Sequence, residues 1–326
     1  MSDVAERAGV SRAMVSIVFR HAPGARDETR ERVRRAADEL GYRPDRRARL
    51  LSRHRTQVLG VVSALGHEFH AELVARLYRA ASAHGQELAL SGTTADRADA
   101  EAVGDLLALR CDALLLIGGA LPEPALADLA ASVPVVVLAR ATVVPGLDVV
   151  RTDDVAGAAL AARHLLDLGH TRVVHVGGGT AAGADERRQG FRATLVEAGL
   201  DADVEGGGLY EDDGVAAAER LLARTELPSG LAVFNDQSAT GLLGVLQQAG
   251  RRWPQDVSVV GYDDNRLARS RWARLTTVRQ DVDALAGLAV QRAVERVEQP
   301  GLAAREDLVA PSLVVRGSTG PPPGQG

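Results

Sequence analysis

The sequence predicts a small all-α helix-turn-helix domain at the N-terminus, followed by an α/β body built as two lobes, each a doubly wound parallel sheet. Three observations carry this. The first forty residues show helical apolar spacing interrupted by a glycine turn. The remainder alternates short continuous apolar runs with amphipathic stretches, in two successive sets. Charge divides along the same line: residues 1–57 hold 14 arginines against 8 acids, a net of +6, whereas the whole 326-residue chain carries −5. A basic arm on an acidic body points to a polyanion-binding module attached to a larger domain; a merely solvated basic face is the alternative that charge alone does not separate.

Composition narrows the classes. At 46% hydrophobic residues the chain can fill two ordinary cores. No apolar run approaches the roughly eighteen residues of a spanning helix. The opening "MSDVAERAGV" lacks the apolar core of a secretion signal, so the expected compartment is the cytoplasm. Cys111 is the single cysteine, which removes an internal disulfide framework and a cysteine metal cluster.

The N-terminal elements follow from spacing. "DVAERAGVSRAMVSIVF" reads as two short helices around a tight turn. Val4, Ala5 and Ala8 make one apolar face of the first, and Gly9 supplies the left-handed residue that ends it. Ser11 is a good N-cap for the second, with Val15, Val18 and Phe19 facing inward. That leaves Arg12, Ala13, Ser16, Ile17 and Arg20 outward: a short helix with a basic, small and polar face, as in helix-turn-helix readers of DNA. A third helix is expected in "DETRERVRRAADEL", with Val33, Ala37 and Leu40 on one stripe, Gly41 ending it and Pro44 preventing continuation.

In the body, "VLGVVSAL", "ELALSG", "ALLLIGG" and "PVVVLA" form one set of strands, and "RVVHVGGG", "GLAVFND" and "VSVVGYDD" a second. Continuous apolar strands between helices mean parallel sheets covered on both faces. Ligands of such sheets bind at the carboxyl ends of the strands, here between the lobes. The residues to examine are therefore those just after the strands: Phe69, His70, Arg140, Arg187, Asn235, Asp236, Asp263 and Gln280.

"DVAERAGVS…VS.V" followed by "ETRERVRRAADELGYRPDRRARLL" resembles the LacI family of bacterial transcription regulators, and the likeness runs through nearly the whole chain to about Gly317. The resemblance implies that the helix starting near Arg12 enters the major groove of a pseudo-palindromic operator, with Arg12 and Ala13 at the base-reading positions. Arg12 is suited to a bidentate contact with guanine; Ala13 can touch only a thymine methyl. Ile17 stands where the family often has Arg, so a polar base contact is replaced by an apolar one or by packing on the first helix. The family has two or three more residues before Asp3, including a capping Thr, so either the first helix is frayed or the true start lies upstream. Arg26 occupies the place of a capping Ser, and Asp27 is expected to cap instead with a one-residue shift. Each change weakens the domain by roughly 1 kcal/mol.

The segment "RPDRRARLLSRHR", residues 43–55, concentrates six arginines around two leucines. Within it, Arg46–Leu51 resembles the family's hinge, which is disordered alone and helical on operator DNA; ordinary packing of Leu50 and Leu51 onto the body is the alternative. The likeness implies that Arg46 and Arg49 contact phosphate and the minor groove, that Ala48 is small for close approach, and that Leu51 wedges between base pairs and kinks the duplex. The arginines imply steep salt dependence, about 0.9 in log K per phosphate neutralised. The expected domains are 1–44 (helix-turn-helix), 45–56 (hinge), 57–317 (effector binding and dimerisation) and a disordered tail, 318–326.

The body resembles the family's periplasmic-binding-protein-like effector domain. "DERRQGF" implies that Arg187 donates to effector hydroxyls, "FNDQSATG" that Asn235 and Asp236 line the cleft, "VVGYDD" that Asp263 accepts from the effector, and "LTTVRQD" that Gln280 lies nearby. Phe69 and His70 match a pair that touches ligand, and Arg140 a position that varies. Arginine and carboxylate suit vicinal diols, each offering paired hydrogen bonds. Leu209 stands where sugar binders often have a stacking aromatic; Tyr210 is the substitute. The implied partners are duplex operator DNA, a small effector, a sugar in the first instance, and a second copy of the chain. No cofactor and no metal are implied.

Other readings remain at this level. "HVGGGTAAG" fits neither GxGxxG nor a P-loop and reads as a flexible cleft loop. "HEFH" lacks a third metal ligand. Asp153 and Asp154 read as helix caps rather than a catalytic pair. A regulator sensing a nucleobase or nucleoside is open, as is a two-lobed solute-binding protein, although that class leaves residues 1–55 unexplained. No nucleophile–base set for an enzyme assembles. Leu73, Leu77 and Ala80 share one helix face, available to a dimer interface or to the core.

Overall fold

The structure is a computed structural model describing residues 2–19, 23–42, 55–119 and 121–324. It divides into two compact units, Met1–Thr56 and Gln57–Gly326.

The first unit comprises α1 (Ser2–Ala8), α2 (Arg12–Phe19) and α3 (Asp27–Glu39). Val4, Ala5, Ala8, Val15, Val18 and Val33 are buried together, so the helical spacing of the apolar residues is realised as one core. Gly9 adopts φ +63° at the turn, and Ser11 Oγ caps α2 by accepting from Met14 N at 3.2 Å. Two expectations fail in α3. Leu40 is 47% exposed, and Ala36 takes its place in the core. The helix ends at Glu39; Gly41, at φ +59°, turns the chain so that Tyr42 N bonds Ala37 O and the Tyr42 ring meets Phe19 at 5.9 Å. Nor does Asp27 cap: Arg26 is the N-cap residue in extended conformation, without a side-chain cap bond, and Asp27 is the first helical residue.

The second unit holds two six-stranded sheets. In the first lobe β1 (Val58–Ala64), β2 (Glu87–Thr93), β3 (Ala113–Ile117), β4 (Val135–Leu138), β5 (Asp148–Thr152) and β11 (Glu306–Val309) run in the order β11-β5-β4-β3-β1-β2, all parallel. In the second, β6 (Val173–Val176), β7 (Asp203–Glu205), β8 (Gly230–Val233), β9 (Ser258–Asp263), β10 (Thr276–Arg279) and β12 (Ser312–Val314) run β12-β10-β9-β8-β6-β7, with only β12 antiparallel. Each sheet reverses its winding once, between β1 and β3 and between β6 and β8, which are the switch points where such sheets bind ligands.

Helices cover both faces. In the first lobe α4 (Glu68–Ala83) and α11 (Val282–Glu298) pack on one face, and α5 (Asp99–Ala108) and α6 (Glu123–Ser132) on the other. Leu73 and Leu77 are fully buried there with Leu285 and Ala289, and Ala80 packs against them. That face of α4 is therefore core, not an interface. In the second lobe α7 (Asp154–Asp167) packs with α8 (Ala184–Glu197), and α9 (Glu211–Leu222) with α10 (Asp236–Gln248).

The chain passes between lobes after β5, after β10 and between β11 and β12. Hydrogen bonds join these crossings: Asp153 N to Val309 O at 3.0 Å and Thr152 Oγ1 to Gln280 Oε1 at 2.7 Å. The tail expected to be disordered from Ser318 is instead anchored at its start. Ser318 is fully buried, its Oγ donating to Val259 O at 2.6 Å and accepting from Thr276 N at 2.8 Å, and Gly320 O bonds Ser258 Oγ and His170 Nε2. Small hydroxyl and glycine residues let this segment satisfy backbone groups at the N-terminal ends of the interior strands β9 and β10.

Candidate functional site

The switch points of the two sheets face each other across a cleft of about 480 Å³. Six of the eight expected residues line it: Phe69, His70, Arg187, Asn235, Asp263 and Gln280.

Arg187, on α8, is buried between the rings of Tyr262 and Phe234, its guanidinium 3.6 and 4.5 Å from their centroids. Nε donates to Asp154 Oδ1 at 2.8 Å and Nη1 to Phe234 O at 2.7 Å. Burial opposes its charge, but Asp154, Tyr262 and Asp263 outweigh that and hold its pKa above the ordinary arginine value. Asp153 caps α7 as expected, accepting from Ala156 N, whereas Asp154 serves as the partner of Arg187.

Asp263 ends β9 with φ +116°. Oδ1 accepts from Gln280 Nε2 at 2.7 Å, and Gln280 is the residue bonded to Thr152 at the crossings. Oδ2 is buried without a partner. Burial pushes its pKa up to about 7 against the opposing pull of Arg187 and the Gln280 bond.

Asn235 is the N-cap of α10: Oδ1 accepts from Ser238 N at 2.7 Å and Nδ2 donates to Leu209 O at 2.9 Å. Its amide also reaches His67 Nε2 at 3.4 Å. With that nitrogen accepting, the His67 proton sits on Nδ1, which is buried and unpartnered. Burial and then Arg187 lower the His67 pKa to about 4. His70 Nδ1 accepts from Ala64 N at 3.3 Å, and burial holds that ring well below the usual histidine range. Both histidines are therefore neutral at pH 7.

Two expected residues are not in the cleft. Asp236 begins α10 and turns under the sheet, accepting from Thr277 Oγ1 at 2.6 Å and Asn265 N at 3.0 Å. Arg140 is held by carbonyls of the loop after β3, Leu121 O at 2.9 Å and Gly119 O at 3.3 Å, and lines a small neighbouring pocket. Sequence reasoning missed His67 and Asp213. The signal for His67 in the sequence is its place just before the first helix of the body, at a switch point. Tyr210, the aromatic substitute, does line the cleft; the residue is 41% exposed and its ring lies 6.5 Å from the ring of His67.

On α2, Ser11, Arg12 and Ala13 are exposed, and Ser16 and Ile17 half-buried. Arg20, Arg46, Ala48, Arg49 and Leu51 lie outside the described residues. Among the described residues no helix is long and apolar enough to cross a membrane.

A helix-turn-helix unit and a two-lobed body with a polar cleft define a ligand-responsive regulator of transcription. Residues 1–45 match the bacterial regulatory proteins of the lacI family, and residues 162–319 a periplasmic binding protein-like domain. The HTH-type transcriptional regulator GalR of Escherichia coli K12 is 32% identical over 330 residues, covering 99% of this chain and 96% of that protein. The lac repressor dimer bound to operator and the anti-inducer ONPF matches with a TM-score of 0.85 at 29% identity, over 98% of each chain. The complex of the transcriptional regulator CelR with cellobiose matches with a TM-score of 0.74 at 31% identity, over 97% of this chain and 98% of that one. The chain belongs to the lacI family of bacterial regulatory proteins.

Proposed function

We propose that the protein is a homodimeric repressor that binds a pseudo-palindromic operator through α2 and releases it when a sugar enters the cleft. The observation that carries the sensing half is the pair of buried, unpartnered polar atoms, Asp263 Oδ2 and His67 Nδ1, on two residues that line one cleft. Buried polar groups are left unsatisfied only at a cost, and a ligand hydroxyl satisfies both kinds. Arg187 adds a rigid donor fork with N–H groups to spare. On DNA, Arg12 and Ala13 read bases, supported by Ser11, Ser16, Ile17 and Arg20. Arg46, Ala48, Arg49 and Leu51 engage the minor groove at the operator centre, with Leu51 as the wedge. Coupling requires that the sugar bind one lobe arrangement better than the other. The Asp263–Gln280–Thr152 chain runs from the cleft to the crossings and is the route we assign.

Selection of duplexes from a random pool, followed by fluorescence anisotropy with and without galactose, ribose or cellobiose, tests this. Enrichment of a two-fold symmetric site that a sugar then releases supports it; absence of sequence-selective binding ends it. Ligand affinity is also expected to rise from pH 6 to pH 8. A ligand hydroxyl donating to Oδ2 favours the Asp263 carboxylate, so binding releases a proton while the free group, near 7, is partly protonated. Arg187 opposes the raised pKa and Asp154 and Glu72 add to it, while His67 stays neutral throughout. Titration calorimetry across that range checks the slope, and Asp263→Asn should flatten it.

A further inference from the structure

We propose that the cleft is a charge filter: it admits a neutral polyhydroxylated effector and rejects the phosphate ester or carboxylate form of the same molecule, with Asp213 and Asp263 setting the discrimination. This deepens, and rests on, the sensing role proposed above.

The argument begins with the charges that face the cleft. Among the described lining residues the single arginine is Arg187, and its charge is already matched by Asp154. His67 and His70 also line the cleft, and burial keeps both rings uncharged. Against this stand Asp213 and Asp99, together with the ionised fraction of Asp263. Asp99 also lines the adjoining small pocket, where Arg140 is the positive charge, so we leave that pair out of the balance. The excess left for a ligand to meet is negative. The upward shift of Asp263 has the same origin in part, because Asp154 and Glu72 add to the effect of burial.

Backbone donors are the usual rival explanation, since helix N-termini attract phosphate. Here one donor at each of three helix starts is already taken by a side chain. Asp213 Oδ2 takes Tyr210 N at the start of α9, Asn235 takes Ser238 N at the start of α10, and Gln237 Oε1 takes Glu68 N at the start of α4. The start of α8 has no side-chain cap but carries Asp185 and Glu186 in its first turn. Asp185 there is paired with Arg188 at 2.7 Å, which leaves Glu186 to oppose the positive end of the helix. Three glycines of the two glycine-rich loops have an explanation in packing rather than in ligand approach. A Cβ on Gly207 would lie 2.3 Å from Gly177 O, one on Gly178 2.5 Å from the Phe234 ring, and one on Gly208 2.4 Å from Asp213. Those glycines are required by neighbouring protein atoms.

The test uses the full-length protein and matched pairs: galactose and galactose 6-phosphate, ribose and ribose 5-phosphate, glucose and glucuronate, adenosine and its monophosphate. Thermal shift ranks them and calorimetry gives Kd. The neutral member of the binding pair should bind, and its anion should bind more than about tenfold more weakly. Asp213→Asn, which retains an oxygen to accept from Tyr210 N, should narrow that ratio with a fall in melting temperature of no more than about 4 °C, the cost of one helix-end charge; Asp263→Asn should narrow it too. An anion that binds as tightly as its neutral partner overturns the filter and leaves the sensor intact. If no compound of either charge binds, the sensing role fails and the filter with it; retained selective DNA binding would then isolate the fault to the cleft.

Discussion

Arg187→Met is expected to destabilise the body by about 3–5 kcal/mol and to abolish the ligand response. Two losses combine. The ligand loses its donor fork, and Asp154, only 4% exposed, loses the cation that neutralises it. An unpaired buried carboxylate is costlier than the net worth of the pair, because its desolvation is no longer compensated. Methionine preserves much of the packing between Phe234 and Tyr262, so the loss reports charge rather than cavity. The melting temperature of the body should fall by roughly 10 °C. Adding Asp154→Asn should restore most of that stability but not ligand binding, since the neutral amide no longer needs a counter-charge. A single variant that melts like the parent and still responds to ligand would remove Arg187 from the site.

The fold was legible in the sequence to the degree that hydrophobic periodicity dictated it. Runs such as Ala113–Ile117 are buried along their whole length, which only a sheet covered on both faces requires. The stripe of Val15 and Val18 was likewise decisive for α2. What failed was local competition. Leu40 continued the stripe of α3 on paper, but Gly41 ended the helix and Tyr42 filled the space. Asp236 and Asn235 are adjacent and both polar after one strand. The N-cap position aims Asn235 at the cleft, and the next position turns Asp236 beneath the sheet, a distinction set by helix geometry rather than residue type. Arg140 was diverted by loop carbonyls that no strand pattern reveals. Ser318 looked like the start of a tail because proline and glycine follow it, yet its hydroxyl bridges the N-terminal ends of β9 and β10.

Gly214→Ala should disable the second lobe from a position whose side chain faces no ligand. Gly214 on α9 and Gly241 on α10 bring the two helices into backbone contact. A Cβ at Gly214 would lie 1.9 Å from Ser238 O, and one at Gly241 2.0 Å from Glu211 O. Neither obstacle is a flexible side chain, so relief demands that the helices separate by about 1 Å, and well-packed interiors resist that displacement. The expected cost is at the upper end for overpacking, about 3 kcal/mol. Function suffers by the same movement: α9 begins beside Tyr210 and carries Asp213, and α10 is capped by Asn235, so parting the helices displaces one wall of the cleft. Both tryptophans lie in this lobe, and Trp253 packs on the core these helices share, so tryptophan fluorescence during heating reads the damage directly. Gly244→Ala is the control. It lies on α10 with no atom within 4 Å of the added Cβ, and there alanine should be neutral or stabilise by up to about 1 kcal/mol through helix propensity. If Gly214→Ala melted with Gly244→Ala and bound ligand equally well, the contact between the helices would not be what holds the cleft wall in place.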